Sequence, residues 1–223
     1  ASDKVADEDL TVTYFFSNTS NSQFEALTVT DTFDAVNSTL SLHGDLTYSG
    51  VGGGLAVSGA DFVFNGTEAQ TLDSGAVTFN VGGIEIDNAS GVSMVSAVNA
   101  SLVTFSDGAI TINDYDFTAT GNINGASGVD GQYFILDGTG YLVRPIAGGG
   151  NADFLVAFLP DGGTEYKWSE LTLSNNEVSS FNFRVSAMNA TGDTPEIPSG
   201  QIQSSITIIW DVQTASTDYT FTL

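Results

Sequence analysis

Apolar and polar residues alternate with a period of two along almost the whole sequence, in runs of only a few residues. Leu10, Val12 and Tyr14 form one such run; Phe62 and Phe64, Val77 and Phe79, Ile84 and Ile86, Ile110 and Ile112, and Ile206 and Ile208 form others. Side chains two apart share one face of a strand, so each run has one apolar edge to bury. Turn-forming pairs separate the runs: Asn65-Gly66, Gly82-Gly83, Asp107-Gly108 and Asp137-Gly138. No stretch combines helical periodicity with helix caps. The chain is therefore expected to be all-β.

Spacing narrows the architecture. From about residue 42 to 146, similar pieces recur from Phe62 to Ile84 to Ile110, at uneven intervals of roughly 20–26 residues. Strands this short cannot bury their apolar edge alone, so a parallel β-solenoid (β-helix), in which each coil covers the last, is expected for residues 42–147. Residues 1–41 carry longer alternating runs, expected to be a cap or assembly segment. Residues 148–223, after the junction at Gly148, Gly149 and Gly150, are expected to form an antiparallel β module, a cap or sandwich.

Charge excludes several functions. Of 223 residues only Lys4, Arg144, Lys167 and Arg184 are basic, against 27 acidic ones, for a formal net charge of -23. Phosphate recognition needs clustered Lys or Arg, so no nucleic-acid partner is expected. No run approaches the length of a membrane span, so no membrane insertion is expected. Cysteine is absent, which removes disulfides and thiolate metal sites. A surface of Ser, Thr, Asn and Gly beginning Ala1-Ser2-Asp3 fits an extracellular or cell-surface product after signal-peptide removal.

Four phrases recur in character along the coils: FNGTEAQTL from Phe64 to Leu72, IEIDNASGV from Ile84 to Val92, LVTFSDGAITI from Leu102 to Ile112 and YFILDGTGYLVRP from Tyr133 to Pro145. With them, residues 60–215 resemble the coil pattern of large secreted Bacteroidota surface proteins. Phe158 to Gly162 and Ile208 to Asp211 are similar to the β module that follows such a solenoid. The resemblance implies an adhesin-like or structural surface role. Such proteins often end in a sorting domain with basic residues, which this chain lacks; a cleaved tail or a compact relative is the corresponding expectation.

No catalytic constellation emerges, and no enzymatic activity is expected. His43 is the single histidine, in a turn setting without a nucleophile elbow. Asp114 and Asp116 fall on one strand face, but their surroundings lack sugar subsites, and a solvated acidic edge explains them. No resident cofactor is expected. Calcium is the one cation whose preference for oxygen suits the Asp and Asn corners, with Asp87, Asp107, Asp114, Asp116 and Asp137 as weak candidate ligands. Glycosylation sequons start at Asn18, Asn37, Asn65, Asn88, Asn99 and Asn189.

The leading expectation is an extracellular structural subunit of a filament, sheath or coat that self-associates through terminal strands. Leu10, Val12, Tyr14 and Phe16 are the candidate assembly residues and copies of the chain the partner. The alternative is an adhesin or glycan-binding surface module, with Tyr133, Tyr166 and Trp168 as stacking residues.

Overall fold

The computed structural model describes residues 5–6, 10–11, 21–24, 26–29, 33–35, 37–50, 55–158, 166–175, 180–188, 205–211 and 219–222. These residues are all-β, without a helix, and build a parallel β-solenoid of about six turns followed by antiparallel strands. Two ten-stranded sheets run the length of the molecule.

The central coils show why the sequence folds this way. Each supplies pairs of inward side chains two residues apart: Phe79 and Val81, Ile84 and Ile86, then Val92 and Met94. The long strand Val98–Asp107 carries two such pairs, Val98 with Ala100 and Val103 with Phe105, separated by the exposed Ser101 and Leu102. Its partners Phe79–Asp87 and Phe117–Asn124 lie alongside in parallel. The exposed break marks a corner, so one continuous strand serves two sides of the coil. A third side comes from Gln70–Asp73, Val92–Met94, Ile110–Thr111 and Phe134–Ile135 in the other sheet.

Register aligns equivalent residues into columns. Leu42, Phe64, Ile86 and Phe105 stack at one position. Leu27, Leu46, Leu72 and Met94 stack at another, and Phe79, Val98, Phe117, Leu142 and Val185 at a third. All of these are buried. Aromatic edges cross the interior: Phe134 meets Phe105 and Phe117 with ring centroids 5.2 and 5.0 Å apart. One corner depends on glycine. Gly108 has φ +78°, and a side chain there would collide with the Asn88 carbonyl of the preceding coil.

The flanks differ from each other. In the N-terminal segment Asn21–Phe24 lies in one sheet and Leu27–Val29 in the other, so the chain turns a corner between them. The buried Leu27 and Val29 stand three and five residues after Phe24, so the alternation changes parity at the corner, an offset that so short a run does not distinguish from a bulge. These strands pair in parallel, as do Val5–Ala6 with Asn21–Phe24 and Leu10–Thr11 with Leu27–Val29. The antiparallel strands belong to the C-terminal side. Leu142–Ile146 pairs with Phe181–Met188, which pairs with Ser205–Asp211; Asn151–Phe158 pairs with Lys167–Asn175, which pairs with Tyr219–Thr222. They extend the same two sheets.

The column packing sets a measurable expectation. Phe117→Ala empties a fully buried position and lowers unfolding free energy by about 3–5 kcal/mol in guanidinium chloride titrations. Val129→Ala, at a residue 86% exposed, changes it by no more than about 0.5 kcal/mol.

Candidate functional site

Two of the five acidic candidates, Asp114 and Asp116, serve the joints between coils. The Asp114 carboxylate accepts hydrogen bonds from the Thr139 amide at 2.9 Å and its hydroxyl at 3.1 Å, and Asp116 accepts the Tyr141 amide at 3.1 Å. Asp45 does the same for the Thr71 amide at 2.7 Å. Each carboxylate satisfies an N–H on the following coil, in the manner of an Asx turn stretched across a joint. Asp87 and Asp107 are register partners at the exposed ends of adjacent strands, and Asp137 is exposed. Among the described residues, no group of three or more His, Asp or Glu side chains is placed to hold a metal ion. His43 lies in the half-buried turn between Thr39–Leu42 and Leu46–Tyr48.

The sequons fall in unlike settings. Asn37 is exposed in a turn at φ 55°, and Asn65 is half-buried. Asn99 donates to Asn80 Oδ1 at 2.7 Å on the outer surface. Asn88 is buried: its Nδ2 donates to the Glu68 carbonyl at 2.7 Å and to Gln70 Oε1 at 2.9 Å, while its Oδ1 accepts the Ser90 amide at 2.8 Å. Gln70 in turn donates to the Leu42 and Gly44 carbonyls at 2.8 and 2.5 Å and accepts the Gly66 amide at 2.9 Å. Two amide side chains thus join three successive coils. Asn18 and Asn189 lie outside the described residues. Of the assembly candidates, Leu10 begins an outermost strand and pairs with Leu27, while Val12, Tyr14 and Phe16 lie outside the described residues.

The structure separates the three aromatic candidates into two places. Tyr133 and Tyr166 share one locality, where burial raises the Tyr166 phenol above its usual pKa and Asp137 and then Tyr133 add to the shift. Trp168 instead lines an open groove of about 500 Å³ with Asn122, Asn124, Arg144, Asp153 and Glu170. The groove exists because one side of the solenoid stops early. Residues 122–124 pair with Leu102, Val103 and Thr104, and among the described residues no strand pairs with their other edge. The chain passes from Leu142–Ile146 through a tight turn, closed by the Gly150 amide on the Ala147 carbonyl at 2.9 Å, straight into Asn151–Phe158. That shortcut omits a rung.

Arg144 spans the gap. Its guanidinium donates to the Gly121 carbonyl at 2.7 Å and to the Asp153 carbonyl at 2.8 Å, binding the last full rung to the antiparallel strands. Burial lowers its pKa and the nearby Asp153 charge opposes that shift, but a guanidinium stays protonated. Trp168 is 47% exposed, and Gly128 lies against one face of its indole: a methyl on Gly128 would overlap Cδ2, Cε2 and Cε3 of the ring. Neither the role of Arg144 nor that of Gly128 carries a signal in the sequence, because their contacts join segments distant along the chain.

Two tests follow from this geometry. Asn88→Ala strips partners from Gln70 and the Glu68 carbonyl and costs about 1–3 kcal/mol in chemical unfolding, whereas Asn99→Ala changes stability by about 0.5 kcal/mol or less. Absorbance titration at 295 nm shows a phenol ionising above the ordinary value of about 10, absent from Tyr166→Phe. Because the unfolded chain releases that proton first, this phenol makes folding stability fall as pH rises above about 10. Compared with known proteins, the chain matches no family model, no curated protein and no solved structure.

Proposed function

We propose that this chain is an extracellular structural subunit of a filament, sheath or surface coat, whose copies associate end to end through their terminal β-strands. The observation that carries this reading is the state of the two sheets at their N-terminal end. Val5–Ala6 and Leu10–Thr11 are the outermost strands, each paired on one side only among the described residues. An outermost strand presents a row of N–H and C=O groups that favours pairing with another strand. A second copy satisfies them as each coil satisfies the next, by adding a strand to the edge. Among the described residues, Ser205–Asp211 and Tyr219–Thr222 are the outermost strands at the opposite end of the same two sheets.

Extracellular placement is supported by the Ser-, Thr-, Asn- and Gly-rich composition and by the surface-protein phrases in the coils. The net charge of -23 opposes association of identical copies. Screening relieves that repulsion, since the Debye length falls from about 30 Å at 0.01 M salt to about 3 Å at 1 M. Assembly therefore increases with ionic strength.

Negative-stain microscopy across a salt series tests the reading. The full chain forms filaments or sheets that lengthen with salt, and a variant lacking residues 1–16 stays folded by circular dichroism but monomeric. A full chain that remains monomeric at every salt concentration overturns the proposal. So does a truncated variant that assembles like the full chain.

A further inference from the structure

The groove left by the missing rung is a binding site, and we infer that its ligand is a neutral saccharide. Trp168 and Glu170 of the site belong to Lys167–Asn175, the strand next to the outermost Tyr219–Thr222.

Three features of the groove support this inference. The first is the aromatic platform. Gly128 covers one face of Trp168 and fixes its plane, while a ring 47% exposed keeps area free for a ligand. A rigid, half-covered indole suits stacking against the C–H face of a sugar ring, because aromatic rings combine large apolar contact area with few degrees of freedom to lose. The second is the polar surround. Asn122 and Asn124 each offer a donor and an acceptor, and Asp153 and Glu170 offer acceptors. Saccharide hydroxyls are both donors and acceptors, so a mixed amide and carboxylate lining can satisfy them. The third is electrostatic. Arg144 keeps its charge but turns both terminal nitrogens to backbone carbonyls, and the exposed carboxylates of Asp153 and Glu170 outnumber it on a chain of net charge -23. That field disfavours uronic acids, sulfated sugars and sialylated chains, and selects neutral glycans.

A peptide strand is the competing occupant, since residues 122–124 offer an open backbone edge. That edge is only three residues long and ends at Gly125, whose φ of +72° turns the chain away from extended geometry. Strand addition there would gain few ladder bonds, whereas the Trp168 platform and amides would contribute little to a backbone-driven contact.

The test uses the full chain at low salt and follows tryptophan fluorescence and calorimetric titration. The probes are hexasaccharides of β-1,4-glucose, α-1,4-glucose, α-1,6-mannose and β-1,4-N-acetylglucosamine, with oligogalacturonate and a basic extended peptide as counter-probes. At least one neutral hexasaccharide binds saturably, and oligogalacturonate does not. Trp168→Ala weakens that binding by about tenfold or more, as expected when a central aromatic contact is removed. Gly128→Val, which leaves Trp168 in place but pushes its ring from its seat, weakens binding comparably. Both variants are checked for an unchanged unfolding midpoint; should Gly128→Val destabilise the fold, Glu170→Gln, at an exposed residue, provides the second variant and also weakens binding. Absence of binding by every neutral probe overturns the assignment. Binding unaffected by Trp168→Ala, or confined to the basic peptide or the uronate, overturns it as well.

Discussion

Everything in this molecule depends on coil-to-coil burial in fixed register. A single coil presents three short inward pairs, such as Phe79 with Val81, Ile84 with Ile86 and Val92 with Met94, and cannot cover them by itself. The coils above and below remove that surface from water, at about 1.5–3 kcal/mol for each fully buried large apolar side chain. Backbone ladders run in the same direction, so hydrogen bonding and apolar packing enforce one register together. A slip by one residue would turn every inward pair outward.

Buried polar side chains make that register specific. Gln70 and Asn88 knit three coils through carbonyls and amides at the corners, where the chain leaves the ladder and its backbone groups would otherwise lack partners. Ser74 and Ser96 repeat the device at another corner, with hydroxyls 2.8 Å apart and the Ser74 amide donating to Ser96 at 2.7 Å. Asp114 and Asp116 act the same way from the outer surface. These contacts reinterpret residues whose types suggest metal binding or glycosylation. In Asn88, Asp114 and Asp116 the same side chains hold one coil to the next.

The solenoid ends differently on its different sides, and this asymmetry produces the groove. Two sides continue: Phe117 is followed by Leu142 and Val185, and Phe134 by Val156. The side ending at residues 122–124 has no successor among the described residues, because the turn at residues 147–150 is too short to supply one. Arg144 spans the opening, and Trp168 lies against the loop that overhangs it. A change in connection length has thus become a recess lined by side chains from four separate segments.

Much of the fold is legible in the residues themselves. Period-two pairs such as Ile84 with Ile86 and Ile110 with Ile112, spaced by glycine and asparagine corners, specify short strands whose apolar edges require stacking, because local alternation and turn chemistry are properties of adjacent residues. The corners hidden within runs, as between Phe24 and Leu27, are not legible, because a one-residue change of parity in so short a run reads equally as a bulge. Nor is the separation of Trp168 from Tyr133 and Tyr166, or the seat that Gly128 provides for the indole. Those depend on which segments the stacked coils bring together across tens of residues, and only the closed tertiary structure, with its omitted rung, decides that.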